Sequence, residues 1–313
     1  MDAVALGEAM LVLTPERGGS LADADGLHWS VAGAETNLSI GLARLGHSVA
    51  WVSRLGADPF GRKILKHVRG EGVDVSGVRL DPDHPTGIYF KELSPLGTAR
   101  VYYYRHGSAA SHMEPADIHL DAYDARYLHI TGITPALSAG CCNAVMEAIA
   151  QARRLRMQVI FDPNLRLKLW PLETARETVD RIARQTDIVL PGLAEAELLT
   201  GLSTPEDIAQ HYCDGGAATV VVKLGDEGAY YRSDEDEGYV QAYPVTVVDE
   251  IGAGDAFDAG FISGLLDGLT LADSVQRGCM LGALAVTALG DHAALPYRDE
   301  LDRFAQGMGG TDR

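Results

Sequence analysis

Short continuous apolar runs alternate with helical patterns along most of this chain, and this alternation constrains the fold more than any other feature. Val4 to Gly7 and Val49 to Arg54 have the character of strands, whereas Asn37 to Leu45 and Phe60 to Val68 have helical spacing. Further strand-like runs follow at residues 126–130, 159–162, 188–190 and 219–222. Apolar runs without polar alternation are typical of strands covered by helices on both faces. The pattern predicts an α/β fold with a mainly parallel central sheet.

Two stretches break this rhythm. Residues 86–93 and 99–105 are rich in β-formers and are separated by a Ser-Pro-Leu-Gly turn at 94–97, which predicts a hairpin. Leu11 to Ser30 also has extended character, with Gly18-Gly19 as its turn. We therefore expect segments at approximately 11–32 and 84–107 to form a small second sheet standing off the main one.

The charge balance excludes several partners. The 313 residues carry 26 Lys and Arg against 44 Asp and Glu, a formal net charge of −18. Such a chain repels nucleic-acid backbones and anionic membranes, so neither is expected as a partner. No apolar run is long enough to span a bilayer, and the first residues lack a basic leader, which together favour a cytoplasmic location. The four cysteines include no Cys-x-x-Cys pair, so a reduced, structural state is expected.

Several common catalytic motifs are absent from the sequence. It contains no G-x-x-x-x-G-K-[ST] phosphate loop, no G-x-G-x-x-G after a strand and no G-x-S-x-G nucleophile elbow. It also lacks H-E-x-x-H and paired Cys-x-x-Cys, the usual signs of zinc. These absences argue against several enzyme classes.

The segment with the clearest chemistry is Gly252-Ala253-Gly254-Asp255, which directly precedes a helical pattern running to Leu266. Backbone N–H groups at a helix start point at one spot and carry the positive end of the helix dipole, so they bind an anion. A carboxylate beside that spot can take the proton of a hydroxyl that attacks a phosphoryl group. The alternative is a glycine-containing turn with Asp255 as an ordinary N-cap.

This segment resembles the C-terminal signature of the ribokinase-like (PfkB) carbohydrate kinases. The resemblance implies a single kinase domain over 1–313, a three-layer sandwich with a small β-sheet lid. It also implies that Asp255 is the catalytic base and that Gly252, Ala253 and Gly254 form the anion hole. Glu250 and Ile251 depart from the residues usual after Asp249, where the family has its monovalent-cation loop. The sequence therefore leaves both alternatives, with and without a bound cation such as K⁺.

Residues 32–37, followed by Leu-Ala-Arg-Leu-Gly at 42–46, resemble the N-terminal signature of the same family. The resemblance implies that Gly33 and Asn37 bind sugar hydroxyls. The alternative for Asn37 is a cap at the start of a helix.

Residues 222–228 resemble the turn on the nucleotide side of these kinases. The resemblance implies that Gly225 and Gly228 shape the loop beside the ATP phosphates and that Lys223 reaches a phosphate, although a lysine at a strand end is the alternative. It further implies that Glu195 organises Mg²⁺ through water, with Gly192 in place of the expected Asn. ATP and Mg²⁺ are therefore the expected cosubstrate and cofactor.

Residues 101–109, 161–166 and 290–297 resemble one subgroup, the 2-keto-3-deoxygluconate kinases. A keto-deoxy sugar acid carries a carboxylate, which arginine can hold with two parallel hydrogen bonds. Arg105, Arg166 and the hairpin tyrosines Tyr89 and Tyr103 are the candidate substrate-binding residues. The alternatives are surface ion pairs for the arginines and lid packing or a subunit contact for the tyrosines.

The expected function is therefore ATP-dependent phosphorylation of the 6-hydroxyl of 2-keto-3-deoxygluconate. A kinase of a neutral sugar such as fructose or ribose, a nucleoside kinase and a non-catalytic sugar-binding regulator are the alternatives. The gluconate and galactonate epimers are not distinguished. Because the small lid sheet has an apolar face and free edges, and relatives pair through it, a homodimer is expected.

Overall fold

The strands form a large central sheet and a smaller second sheet. The structure is a computed structural model that describes residues 1–93 and 99–305. The strands in that part of the chain, numbered in order, are β1 (Ala3–Leu6), β2 (Met10–Pro15), β3 (Leu27–Ala32), β4 (Val49–Gly56), β5 (Val78–Asp81), β6 (Ile88–Leu93), β7 (Ala99–Tyr104), β8 (Tyr127–Thr131), β9 (Gln158–Asp162), β10 (Ile188–Val189), β11 (Thr219–Lys223), β12 (Ala229–Ser233) and β13 (Glu237–Val240). The helices are α1 (Ala34–Arg44), α2 (Pro59–Gly70), α3 (Ala139–Arg154), α4 (Leu172–Ala183), α5 (Leu193–Thr200), α6 (Pro205–Asp214), α7 (Ala253–Leu266), α8 (Leu271–Ala285) and α9 (Arg298–Ala305).

The central sheet has the strand order β13-β12-β11-β10-β9-β8-β1-β4-β5. Neighbouring strands from β11 to β5 are parallel, and β12 and β13 are added as antiparallel strands at one edge. The predicted α/β fold with a mainly parallel sheet is therefore confirmed.

Helices cover both faces of the central sheet, which gives three layers. Along β1, Ala3 and Ala5 face α1, α2 and α7–α9, whereas Val4 and Leu6 face α3–α6. All four residues are fully buried, so this strand contributes to two cores at once. Burial on both faces explains why its sequence has no polar alternation.

The lid, as we call the second sheet, has the strand order β3-β2-β6-β7. Strand β2 is antiparallel to β3 and parallel to β6, and β6 and β7 form the predicted hairpin, whose turn at 94–97 lies outside the described residues. Leu11 and Leu13 of β2 pack into the core of the main domain, whereas Met10 and Val12 pack with Tyr89 on the opposite face. The lid therefore has one face on the body of the protein and one face free for a ligand.

Three smaller features concern a surface turn, the cysteines and the helices. The acidic run at 234–237, a pattern that predicts a solvated turn between two strands, is exposed; residues 234–236 form the turn between β12 and β13, and Glu237 begins β13. All four cysteines are free; Cys141 and Cys279 are buried, and Cys142 and Cys213 are half-buried. Among the helices of the described residues, none has the length and apolar character needed to cross a membrane.

Candidate active site

A cleft of about 800 Å³ lies between the lid and the carboxyl ends of the central parallel strands. Ligands of open α/β sheets bind at this end of the strands. The cleft is lined by twelve of the fourteen residues singled out in the sequence, namely Gly33, Asn37, Tyr89, Tyr103, Arg105, Arg166, Glu195, Lys223, Gly225, Gly252, Gly254 and Asp255. Ala253 and Gly228 line an adjoining cavity of about 760 Å³ that shares Lys223, Gly225 and Gly254 with the cleft.

Asp255 lies in the first turn of α7, at the floor of the cleft. This helix is apolar on every side and packs against both α1 and α8, so its position is fixed by burial rather than by local propensity. Burial raises the pKa of Asp255, and Asp162 raises it further, while a hydrogen bond from Asn37 opposes the rise. The carboxylate is thus a stronger base than an exposed aspartate.

Gly252 caps the start of α7 with a positive φ of 84°. A Cβ atom at this position would collide with the carbonyl oxygen of Asp291, so glycine is required both by conformation and by space. The first bond of the helical ladder runs from the Ala256 amide to the Gly252 carbonyl at 2.9 Å. The amides of Gly254 and Asp255 therefore precede the ladder and are available to an anion.

Asn37 is buried in α1 and donates from Nδ2 to Oδ2 of Asp255 at 2.8 Å. The N-cap of α1 is Gly33, so Asn37 lies one turn inside the helix and is not a helix-start cap. Its Oδ1 is buried without a partner among the described residues. The side chain thus joins α1 to the carboxylate of Asp255 and keeps one acceptor free.

Tyr89 and Tyr103 lie opposite one another on β6 and β7, and their rings are 5.4 Å apart. Tyr89 is buried, whereas Tyr103 is 44% exposed. Burial raises the pKa of Tyr89, so its phenol stays protonated and can donate a hydrogen bond. Both rings face the cleft from the lid.

Arg105 follows β7 and forms an ion pair with Glu8, a fully buried residue that follows β1. Glu8 also accepts a hydrogen bond from Ser108 at 3.0 Å. The Arg105 Nε atom is buried without a partner in the described part of the chain. This arginine is therefore a bridge between the lid and the central sheet, not an exposed ion pair.

Arg166 reaches the cleft from the segment that follows β9. Three cations line the cleft in the described residues; Arg105 is paired with Glu8 and Lys223 with Asp162. No carboxylate of the described residues lies within ion-pair distance of Arg166, although its charge lowers the pKa of Asp255. Arg166 is thus the cation of the cleft with the most capacity for an anionic ligand.

Lys223 lies at the end of β11 and donates to Asp162 at 3.0 Å and to Asp258 at 3.2 Å. Burial would lower the pKa of Lys223, but Asp162, Asp258 and Glu195 outweigh it, so the pKa is raised. Asp258 lies one turn after Asp255 on α7 and is 3.3 Å from the buried ring of His129 on β8. Lys223 therefore joins β9 and β11 to the helix that carries Asp255, and Asp258 extends the contact to β8.

Glu195 lies at the third position of α5, and both of its carboxylate oxygens accept backbone amides. Oε1 accepts from Gly192 at 2.7 Å and Oε2 accepts from Leu165 at 2.6 Å. Burial and the charge of Asp162 raise the pKa of Glu195 to about 7. The residue fixes the loop after β9, and Glu195 and Asp162 both line the cleft.

The glycine turn after β11 shapes the adjoining cavity. Gly225 and Gly228 both have positive φ angles, 65° and 103°. A Cβ atom at Gly228 would collide with the carbonyl oxygen of Val240, so no larger residue fits there. Tyr243, Phe257 and other apolar side chains line the cavity, as is typical of a pocket for a flat ring system.

Sequence reasoning missed several acidic residues of the site. Glu8, Glu35 and Asp291 line the cleft and none was singled out. Burial raises the pKa of Glu35 to about 7, and burial together with Asp255 raises that of Asp291 to about 6. Glu8 directly follows the first predicted strand. Because ligands bind at the carboxyl ends of parallel strands, this position could have predicted that Glu8 lies in the site.

A basic carboxylate beside a helix N-terminus, in a cleft covered by a lid, is the arrangement of an enzyme that transfers phosphate to a hydroxyl. The fold and the cleft thus define a small-molecule kinase of the α/β class. Comparison with known proteins gives the family.

The sequence matches the pfkB family of carbohydrate kinases over residues 2–298. It is 44% identical to a 2-dehydro-3-deoxygluconokinase of Bacillus subtilis over 308 residues, which cover 97% of this chain and 95% of the relative. It is 32% identical to a 2-dehydro-3-deoxygalactonokinase of Haloferax volcanii, covering 100% and 99%, and 30% identical to fructokinase-2 of Solanum lycopersicum, covering 95% and 94%. The chain belongs to the pfkB family of carbohydrate kinases, and it is an ATP-dependent sugar kinase.

Solved structures agree with this fold. A PfkB protein from Polaromonas sp. JS666 is 44% identical, with a TM-score of 0.89 over 96% of this chain and 99% of the other. A ribokinase II from E. coli in complex with ATP and Mg²⁺ is 27% identical, with a TM-score of 0.89 over 98% and 99%. A 2-dehydro-3-deoxygluconokinase from Thermotoga maritima is 25% identical, with a TM-score of 0.90 over 98% and 100%. The ribokinase-like architecture with a lid is therefore confirmed.

Proposed function

We propose that this kinase transfers the γ-phosphoryl group of ATP to the 6-hydroxyl of 2-keto-3-deoxygluconate (2-dehydro-3-deoxygluconate). The observation that carries the proposal is Arg166, a cleft-lining guanidinium without a carboxylate partner in the described residues. In a cleft rich in carboxylates, such a cation is stabilised by an anionic ligand, and a sugar acid supplies one. The names of the Bacillus subtilis and Thermotoga maritima relatives support the same substrate.

The substrate carboxylate binds Arg166 at one end of the cleft, while the unpaired Nε of Arg105 offers a second donor. Tyr89 and Tyr103 contribute phenol groups and flat apolar surface from the lid. Gly33 and Asn37 hold hydroxyl groups at the base of the cleft, near Asp255. Fixing the acid group at one end presents the far hydroxyl to Asp255.

Asp255 accepts the proton of the 6-hydroxyl as the oxygen attacks the γ-phosphorus. The bond between that phosphorus and its bridging oxygen breaks, and ADP leaves. The amides of Gly254 and Asp255 donate hydrogen bonds to the transferring group, whose charge they stabilise, and Gly252 and Ala253 form the rest of the anion hole, with the Ala253 amide 3.4 Å from the Glu250 carbonyl oxygen. The product is 2-keto-3-deoxy-6-phosphogluconate.

ATP binds across the glycine turn, with its phosphates near Gly225 and its base in the apolar cavity beside Gly228. The carboxylates of Glu195 and Asp162 provide the hard oxygen ligands that Mg²⁺ prefers, so these residues fit the ion, Glu195 through water. When bound, Mg²⁺ neutralises charge on the phosphates. Lys223 lies near Gly254 and contributes positive charge there, but its ammonium is held by Asp162 and Asp258 and is not free to move with the phosphates.

Arg166→Ala tests the assignment of the substrate. Loss of a charge-assisted pair should raise KM for 2-keto-3-deoxygluconate by roughly 10–100-fold and leave KM for a neutral sugar such as fructose unchanged. Arg166→Lys keeps the charge but loses the paired hydrogen bonds, so its KM for the sugar acid should lie between those of the unaltered enzyme and Arg166→Ala. Lys63→Ala removes an exposed cation on α2, away from the cleft, and is the matched control. An unchanged KM for the sugar acid in Arg166→Ala would favour the neutral-sugar alternative and leave the kinase mechanism intact.

We also propose that two copies of the chain pair through the lid. Trp29, Tyr102 and Tyr104 are 45%, 44% and 65% exposed on this small sheet, and aromatic rings of this kind are common at subunit contacts. Light scattering on the purified protein should give twice the chain mass, and Tyr104→Glu should shift it towards one chain mass. A single-chain mass for the unaltered protein would contradict this pairing.

A further inference from the structure

Lys91 lies on β6 of the lid, two residues after Tyr89 and on the same face of the strand. Its Nζ donates to Oδ2 of Asp249 on the main domain at 2.7 Å. The two side chains are only 9% and 10% exposed. Lysine normally keeps its ammonium in water, so a buried one that joins the lid to a loop of the main domain calls for a reason beyond surface solvation.

Asp249 begins the loop that becomes the anion hole. Its Oδ1 accepts the amide of Ile251 at 3.3 Å, and its Oδ2 is 3.5 Å from the amide of Gly290. Gly252 packs directly on the carbonyl of Asp291, so the two loops touch at the cap of α7. The carboxylate of Asp249 thus connects both segments that set the position of Gly252.

This loop lies in a crowded field of negative charge. Asp249 and Asp255 both act electrostatically on Asp291, whose pKa burial raises, and Lys91 lowers that pKa. An unpaired carboxylate in such a place is costly, and the loop that holds it would relax towards water. The ammonium of Lys91 counters this, but it is in place only while the lid rests on the body.

Lys91 also bears on the monovalent cation that the sequence resemblance left open. That resemblance places the cation loop near Asp249, and the ammonium already occupies Oδ2 of that carboxylate. The residues present at Asp249 therefore provide their own positive charge.

We propose that Lys91 is a positioning residue for phosphoryl transfer, a tethered cation that holds the Asp249 loop, and through it the anion hole, whenever the lid is seated. Closing the lid over the acceptor and completing the anion hole are then one event. Lys91 touches neither substrate; it acts through Asp249 and Gly252. The inference rests on the proposed anion hole and not on the identity of the acceptor.

The test compares Lys91→Ala, Lys91→Met and Lys91→Arg in a buffer that contains choline and Mg²⁺ but no K⁺, Na⁺ or ammonium. We expect kcat to fall roughly 10–100-fold in the Ala and Met variants, with KM for the acceptor changed less than threefold, because a small misplacement of catalytic groups costs about this much. Lys66→Ala, an exposed lysine on α2, is the matched control and should keep the wild-type rate.

Chemical rescue separates a positioning charge from a structural contact. Adding ammonium, ethylammonium or K⁺ should restore kcat of Lys91→Ala in a saturable manner. It should restore Lys91→Met far less, because the longer side chain fills the space. The unaltered enzyme should respond to none of these cations. Melting temperatures and circular dichroism confirm that each variant is folded.

Three results would overturn the proposal. The first is a kcat within twofold of wild type for folded Lys91→Ala and Lys91→Met. The second is a folded Lys91→Ala that is slow and that no cation rescues. The third is an unaltered enzyme that itself requires K⁺. Measuring each variant with the best acceptor found for the wild type keeps these outcomes independent of the proposed substrate.

Discussion

The two ends of the active site use the same chemistry on different scaffolds. At the sheet end, Lys223 is held by Asp162 and Asp258 within strands and a helix that pack in one core. At the lid end, Arg105 meets Glu8 and Lys91 meets Asp249, and each pair joins the lid to a loop of the main domain. The first arrangement is built when the domain folds, whereas the second depends on how the lid rests on the body.

This difference separates the two tasks of a kinase. The sheet end must hold Asp255 and the phosphate-binding amides in a fixed geometry, because preorganised groups cost nothing to reorient during the reaction. The lid end must admit the acceptor, recognise it and exclude water, which otherwise receives the phosphoryl group. Single ion pairs between the lid and loops of the main domain can break and reform without unfolding either part.

Asp255→Asn gives the largest expected effect. Asparagine keeps the shape and one acceptor oxygen for Asn37 but cannot take a proton, so kcat should fall by roughly 10²–10⁴-fold with the fold retained. Steady-state ADP release measures this, and circular dichroism checks the fold. A kcat near the wild-type value would remove Asp255 from the role of base.

The pH profile of the unaltered enzyme follows from the same residue. Burial raises the pKa of Asp255, and only the ionised carboxylate accepts a proton. Therefore kcat/KM should decline as the pH falls through that raised pKa, above the usual range of aspartate.

Lys223→Met tests the sheet end next. It leaves Asp162 and Asp258 as buried carboxylates without their cation, which typically costs about 3–5 kcal/mol. The melting temperature should drop by roughly 10 °C, and activity should fall with it. The double variant Lys223→Met/Asp258→Asn should recover part of the stability. An unchanged melting temperature would show that this end is no more firmly built than the lid end, where Lys91→Met should shift the melting temperature by a few degrees at most.

Arg105→Ala is the smaller, lid-end counterpart. KM for the acceptor should rise about tenfold through the lost donor. Glu8, already shifted towards protonation by burial, should become neutral, so the fold survives. Adding Glu8→Gln should restore stability and leave KM high. If Glu8→Gln restored KM instead, the role of Arg105 would be to neutralise Glu8 rather than to bind the acceptor.

The sequence predicted the sheet end more completely than the lid end. Continuous apolar runs placed the strands, and the glycines at 252 and 228 marked the two backbone turns that only glycine fits. These are local signals, because hydrophobic periodicity and backbone conformation depend on residues that are close together in the sequence.

The contacts that the sequence did not predict join residues far apart in the chain. Glu8 is 97 positions from Arg105, and Lys91 is 158 positions from Asp249. Neither partner has a local pattern that sets it apart from a surface charge. The pairing arises only when the lid strands fold back over β1 and the loop before α7. A family resemblance can identify single residues of the site, but it does not show which charged side chains form ion pairs with one another.

The most direct test of the account is the acceptor preference of the unaltered enzyme. Purified protein with Mg²⁺ and ATP would be assayed for ADP release with 2-keto-3-deoxygluconate, 2-keto-3-deoxygalactonate, fructose, ribose and adenosine. The cleft-lining Arg166, which has no carboxylate partner in the described residues, predicts that kcat/KM for a keto-deoxy acid is tens of times higher than for any neutral acceptor. A neutral sugar that equals or exceeds both acids would contradict the account.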